Sequence, residues 1–88
     1  MEPVNIPIED TLDLHSFPPA EMGELVEEYL YQALEKGYRE VRIIHGRGIG
    51  VQRQRVHSIL ARHPRVLRYY DAADHGSTHV IFKTGPSR

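Results

Sequence analysis

The chain has 88 residues, of which 40% are hydrophobic and 26% charged, with no cysteine and a formal net charge of −1. That length accommodates one small domain and no second core, the composition excludes wholesale disorder, and the lack of cysteine excludes a disulfide framework or a thiolate zinc site. A net charge near zero excludes a general polyanion sponge, yet the distribution is uneven: residues 1–38 carry nine acids against Lys36 alone, and residues 39–68 carry eight arginines against Glu40 alone.

Residues 1–10 are acidic and interrupted by proline, with neither a basic leader nor an apolar stretch behind it. They read as an N-terminal arm or edge strand. No segment approaches the roughly 20 apolar residues of a membrane span, so the expected location is the cytoplasm, away from the membrane. Residues 11–15 alternate, Leu12 and Leu14 on one face and Asp13 and His15 on the other, as a strand does. Ser16-Phe17-Pro18-Pro19 punctuates the chain and opens a helix. Over residues 20–36 the apolar positions 22, 25, 26, 29, 30, 33 and 34 form one helical face, which Gly37 ends at a C′ position. The opposite face carries Glu24, Glu27, Glu28 and Glu35, a surface that repels polyanions.

Residues 41–45 read as a strand covered on at least one side. Three glycines at alternate positions, Gly46, Gly48 and Gly50, follow it. Residues 51–63 form a second helix on the spacing of Val56, Ile59, Leu60 and His63, with Arg53, Arg55 and Arg62 largely off that stripe; Pro64 stops it. Two more strands, 66–70 and 78–83, flank the turn-like stretch 71–77, and a short tail begins at Gly85. Tyr69 and Tyr70 place one ring on each sheet face.

The order β-α-β-α-β-β, with two helices, predicts an α/β two-layer sandwich on a four-stranded mixed sheet. If the third strand lies parallel to the first two and the fourth returns antiparallel, three segments converge at one sheet edge. These are the end of the first strand, the glycine loop and the turn at 71–77, where ligands bind in open α/β sheets.

A strand, a glycine turn and a helix N-terminus aim unpaired N–H groups at one point, and the glycines permit positive φ and close approach. The loop lacks the Gly-Lys-Ser/Thr ending of a nucleotide-hydrolysing P-loop, and its spacing does not match the dinucleotide fingerprint. Arg47 in the loop, with Arg53 and Arg55 on the following helix, suits a nucleic-acid phosphate better. A tight turn with no ligand is the bland alternative. Asp13 and His15 form a carboxylate–imidazole pair suited to proton transfer near neutrality, although such a pair is more often plain surface. His15, His45, His75 and His79 match no standard zinc spacing.

The segments "LDLHS" at 12–16, "HGRGIG" at 45–50 and "HGSTHV" at 75–80 resemble, in order and spacing, the Smr (small MutS-related) domain. That family shows Leu-Asp-Leu-His-Gly, His-Gly-Lys-Gly-Thr-Gly and a late Gly-Ala-Thr-x-Val-like segment. The resemblance covers residues 11–84, leaving residues 1–10 as an arm and 85–88 as a tail, and points to a short stand-alone member. It implies a β-α-β-α-β-β sandwich and DNA-nicking or RNA-cleaving endonuclease activity. By position it implies catalytic roles for Asp13 and His15 and places His45, Gly46, Arg47, Gly48 and Gly50 in the loop that binds or helps cleave the backbone. Gly76 and Thr78 match the third segment. Three departures stand out: Ser16 for Gly, Arg47 for Lys, and Ile49 for Thr or Ser, the last removing a hydroxyl.

The sequence thus supports a phosphodiester endonuclease with DNA or RNA as partner. Asp13 orients His15 as general base or acid, His45 partners it or holds phosphate, and Gly46, Arg47, Gly48, Gly50, Arg53, Arg55, Gly76 and Thr78 bind the backbone. RNA cleavage by its own 2′-hydroxyl needs no metal. DNA cleavage uses water, for which Mg or Mn is the candidate cofactor; the sequence offers only Asp13, Asp71 and Asp74 as carboxylates near the proposed edge and leaves metal dependence open. The alternatives are a non-catalytic module gripping backbone phosphates and a small phosphometabolite enzyme. A monomer is compatible with the sequence, which does not fix the oligomeric state.

Overall fold

In the computed structural model, which describes residues 9–46 and 50–83, the first strand β1 is Thr11–Asp13 and stops short of the predicted alternation. The reason is local. The Asp13 carboxylate accepts a hydrogen bond from the His15 backbone N–H at 2.9 Å and caps a single 3-10 turn, Leu14–Ser16. His15 is therefore in a turn rather than on the strand. Leu14 nevertheless reaches the core and is fully buried.

After a second 3-10 turn, Pro19–Glu21, helix α1 spans Met22–Glu35. It buries Met22, Leu25, Val26, Tyr29, Leu30 and Ala33, six positions on the predicted apolar face. Its end is a Schellman motif: Gly37, at φ 87°, donates to the Leu34 carbonyl, and Tyr38 donates to the Ala33 carbonyl, each at 3.0 Å. The Tyr29 hydroxyl donates to the Glu9 carbonyl, and burial together with Asp10 raises its pKa.

Strand β2, Glu40–Ile44, buries Val41 and Ile43 and exposes Arg42 between them, so one face alone is covered. Helix α2, Val51–Arg62, starts after Gly50 and buries Val56, Ile59 and Leu60. His63 falls just past its end, with its backbone N–H donating to the Leu60 carbonyl at 3.2 Å. Strands β3, Val66–Asp71, and β4, Ser77–Phe82, follow.

The sheet order is β1-β2-β4-β3. β1 and β2 are parallel, and β4 is antiparallel to both β2 and β3, so β3 runs in the same sense as β1 and β2. This is the four-stranded mixed sheet of the predicted two-layer sandwich. The two helices pack against each other, and α2 also packs on β3 and β4, closing one core that includes Val41, Ile43, Val80 and Phe82. The opposite face carries the cross-strand row Thr11, Arg42, His79 and Tyr70. The strand senses bring the ends of β1, β2 and β3 and the start of β4 to one edge.

Candidate functional site

At that edge the chain leaving β2 is tied to the turn between β3 and β4. The Gly76 carbonyl accepts from the His45 N–H at 3.0 Å and the Gly46 N–H at 2.9 Å. Gly46 then adopts φ 85°, as does Gly50, which enters α2 with no side chain to cap it. Only glycine holds that conformation at little cost. The β3–β4 turn is fixed from within, since the Asp74 carboxylate accepts from the Gly76 N–H at 2.8 Å and His75 sits at φ 61°.

Next to Gly46 and Gly76 lies a polar cluster on the helix-facing side of the sheet. His45 is buried (5% exposed), with Nδ1 3.1 Å from the Gly46 carbonyl and Nε2 2.8 Å from the Thr78 hydroxyl. Thr78, fully buried, donates to Asp71 Oδ1 at 3.0 Å. His57 Nε2 lies 2.9 Å from the same oxygen and 3.2 Å from the Thr78 hydroxyl. Arg53 closes the cluster, its Nε and Nη2 each 2.6 Å from Asp71 Oδ2. Desolvation pushes the Asp71 carboxyl up, but the hydrogen bonds from Arg53, Thr78 and His57 and the charge of His57 outweigh it and hold the pKa at about 2. Asp71 is therefore ionised, and acceptor only, at neutral pH.

The predicted site residues divide into two sets. Asp13 and His15 are exposed at the edge, and β1 pairs with β2 through Asp13 opposite Ile44, one residue before His45. Their predicted side-by-side placement on a strand is corrected: the Asp13 carboxylate is occupied by the His15 backbone N–H. His45, Gly76 and Thr78 form the buried set. Both ring nitrogens of His45, the Thr78 hydroxyl and the Gly76 N–H and carbonyl are engaged within the protein. Arg53 is spent on Asp71, and Arg55 is exposed on α2. Arg47 and Gly48, with Ile49, lie outside the described residues.

Sequence reading missed the roles of Asp71 and His57. A signal existed: the alternation of β3 puts Asp71 on the inward face with Tyr69, where an acid must find partners, and Arg53 and His57 stand four residues apart on one helix face. Among the described residues no group of three or more His, Cys, Asp or Glu side chains could hold a metal ion. His79 faces away from the cluster, stacked on Tyr70 at 5.0 Å and 3.4 Å from Glu40. Tyr69, on the other face, meets His57 edge-on at 4.9 Å. One tyrosine ring on each sheet face is what the sequence predicts.

A two-layer sandwich on a mixed sheet, with Gly46 leaving a parallel strand end beside the buried His45, defines the class of fold. Residues 12–83 match the family model of the Smr domain, and the chain belongs to that family. It is 36% identical over 62 residues to Endonuclease MutS2 of Clostridium tetani, an alignment covering 70% of this chain and 8% of that protein. It is 46% identical over 62 residues to Endonuclease MutS2 of Caldicellulosiruptor bescii, covering 66% of this chain and again 8% of the relative. The chain thus spans under a tenth of the length of these relatives. The crystal structure of the Smr domain of Thermus thermophilus MutS2 superposes with a TM-score of 0.78 at 32% identity, over 84% of this chain and 98% of that one. YdaL, a stand-alone small MutS-related protein from Escherichia coli, superposes with a TM-score of 0.71 at 29% identity, over 91% and 69%. Among the described residues no helix is long and apolar enough to cross a membrane.

Proposed function

We propose that this Smr domain cleaves phosphodiester bonds in nucleic acid, nicking DNA or cutting RNA. The observation that carries the reading is the convergence, at one sheet edge, of an exposed histidine with the glycine loop. His15 stands in the turn after β1, and the loop leaves the adjacent parallel strand β2. The endonuclease names of the MutS2 relatives support the same reaction class.

In this reading the scissile phosphate sits over residues 46–50, where Gly46, Gly48 and Gly50 let backbone N–H groups approach and Arg47 supplies charge. Such fixed donors stabilise the charge that develops on the phosphoryl oxygens. His15 transfers the proton, and Asp13 holds it in place by fixing the turn rather than by pairing with its ring. On RNA the 2′-oxygen attacks phosphorus, its proton passes to a base, and the 5′-oxygen leaves and is reprotonated. On DNA water is the nucleophile, and bound Mg or Mn would supply its activation. Among the described residues no group of three or more His, Cys, Asp or Glu side chains could hold that ion.

The competing reading, a non-catalytic module gripping backbone phosphates, draws support from Ile49, which replaces a loop hydroxyl, and from the structural use of the Asp13 carboxylate. Supercoiled plasmid and labelled single-stranded RNA, each with Mg, Mn or EDTA, separate the two. We expect wild type to cut one substrate and folded His15→Ala to lose at least 100-fold, within the range of about 10²–10⁴ for a general acid or base. Binding without cleavage by both proteins refutes the enzymatic reading. Equal cleavage by both removes His15 from the reaction.

A further inference from the structure

The helices pack on one side of the sheet, which leaves the other side open among the described residues. Strand register builds two cross-strand rows on that open side: Thr11, Arg42, His79 and Tyr70, and beside them Glu40, Ile81 and Arg68. The first row carries two rings in contact. Tyr70, 46% exposed, is stacked on His79 at 5.0 Å with 14° between the planes. The Arg68 guanidinium stands 5.8 Å from the centre of the Tyr70 ring, within the range of a cation–π contact. Arg42 adjoins His79 from β2. Among the described residues neither guanidinium has a carboxylate partner, and Glu40, the acid of these two rows, lies 3.4 Å from His79 Nδ1. At the β1–β2 end the first row leads into a depression of about 310 Å³ lined by Asp10, Thr11, Glu40, Arg42 and His79, at the small end of the range for ligand sites.

We propose that this open face of the sheet is a binding site for single-stranded RNA, with an unpaired base adding to the Tyr70–His79 stack while Arg42 and Arg68 hold flanking phosphates. Three observations select that occupant. Every base has a π face, so an exposed ring stack demands that the base be unpaired rather than that it be one particular base. The two unpaired guanidiniums beside the rings complement phosphate, whereas the far surface, on α1, exposes Glu24, Glu27, Glu28 and Glu35 and repels it. The depression sets the Arg42 donors beside the Glu40 acceptor, which suits the 2′-hydroxyl, a group that both donates and accepts and that distinguishes RNA from DNA. The ring row lies one step of two residues, about 6.6 Å, from the row Asp13, Ile44 and Ser77, which reaches the edge carrying His15. A strand held on the face can continue to that edge. The binding site stands on the sheet geometry alone; its use in presenting a strand for cleavage rests on the reading above.

The test titrates the full chain with a fluorescein-labelled oligouridylate, using a DNA strand of matching length and the RNA annealed to its complement as competitors. Tyr70→Ala should weaken binding roughly 5- to 150-fold, the contribution of one base stacked on an aromatic ring. Tyr70→Phe, which keeps the ring, should restore it, and Tyr31→Ala, exposed on α1, should change nothing. Arg42→Ala and Arg68→Ala should each lower the slope of log affinity against log salt by about 0.7. The chain has no tryptophan, so Tyr70→Trp places a single reporter on the face, whose emission the RNA should quench. Binding by Tyr70→Ala equal to wild type, or Tyr70→Trp emission unchanged at saturation, overturns the site. So does a wild type that binds no RNA strand. Competition by the DNA strand or the duplex as strong as by the RNA strand overturns the assignment to single-stranded RNA. Sedimentation of the free chain checks the other occupant: a dimer that Tyr70→Ala dissolves and RNA does not makes the face an interface between copies and refutes the proposal. Cleavage by wild type and His15→Ala judges the reaction separately. Cutting that needs His15, beside undiminished RNA binding by Tyr70→Ala, keeps the cleavage reading and removes this site; Tyr70-dependent binding without cutting does the reverse.

Discussion

Replacing Asp71 with Asn changes one atom and tests how much of the domain's stability hangs on the buried cluster. The carboxylate is only 12% exposed and receives Nε and Nη2 of Arg53 on Oδ2, with His57 and Thr78 on Oδ1. Asparagine can keep an acceptor toward His57 and Thr78, but its NH₂ then meets the two Arg53 donors. Hydrogen bonds to charged groups are worth about 1.5–3 kcal/mol each and are not additive within one network. Arg53, 39% exposed on its side chain, recovers part of that loss in water. A net cost of about 2 kcal/mol follows, equivalent to roughly 8–16 °C in Tm for a chain of this size. Urea unfolding at pH 7 measures it directly. Acid titration adds a sharper check. The Asp71 pKa is held at about 2, below its ordinary 3.8, so its stabilisation is complete above the unfolded value and disappears as pH falls toward 2. The gap between wild type and Asp71→Asn should stay constant above about pH 5 and narrow progressively below about pH 4. A gap that persists undiminished at pH 2, or one below about 0.5 kcal/mol at pH 7, within the range of an ordinary surface change, would refute the assignment.

Four further substitutions probe the frame around the site. Gly46→Ala and Gly50→Ala meet no atom within 4 Å but force alanine to φ 85°, so each should cost about 1–2 kcal/mol by thermal melts. Gly23→Ala, also unobstructed and inside α1, should instead stabilise by about 0.4–1 kcal/mol; equal effects at all three sites would remove the backbone argument. Tyr29→Phe deletes the hydroxyl that ties α1 to the Glu9 carbonyl and should cost about 1 kcal/mol in urea unfolding. Exchange at the Arg42 amide, which donates to the Asp10 carbonyl at 2.8 Å, should quicken if Tyr29 anchors that segment, and unchanged exchange would show that it does not.

Much of the fold is legible because each element is marked by local chemistry. The apolar spacing from Met22 to Ala33 and the glycine after Lys36 define α1, and Pro64 follows the end of α2. Period-two burial in β2 distinguishes Val41 and Ile43 from Arg42. The misplacement of His15 has an equally local origin. Alternation alone extends β1 to His15, whereas the Asp13 side chain competes for the backbone N–H two residues on and bends the chain into a turn. The sheet order β1-β2-β4-β3 and the Asp71 cluster are harder to read, because both depend on partners distant in sequence. Asp71 joins Arg53 and His57, 18 and 14 residues away, and nothing in a local window sets an inward-facing strand acid against a helix residue of another element.

The arginine-rich middle of the chain shows how charge along a sequence differs from charge on a surface. Residues 39–68 contain eight arginines, which in one dimension suggests a single basic patch. The fold distributes them. Arg42 stands on the uncovered sheet face opposite His79, and Arg68 lies on that same face 5.8 Å from the Tyr70 ring. Arg53 is paired with Asp71 on the helix-facing side, and Arg62 lies at the far end of α2. Through Arg53 the middle of the chain gives the edge part of a fixed scaffold. Arg53 helps anchor a carboxylate, the carboxylate accepts from the threonine, and the threonine meets the buried histidine of the loop. Bulk field is screened by salt over about 8–10 Å, whereas a buried hydrogen-bonded chain is screened much less. The chain leaving β2 at His45 and Gly46 is held in this way from within the protein, while His15 stands exposed in the turn after β1.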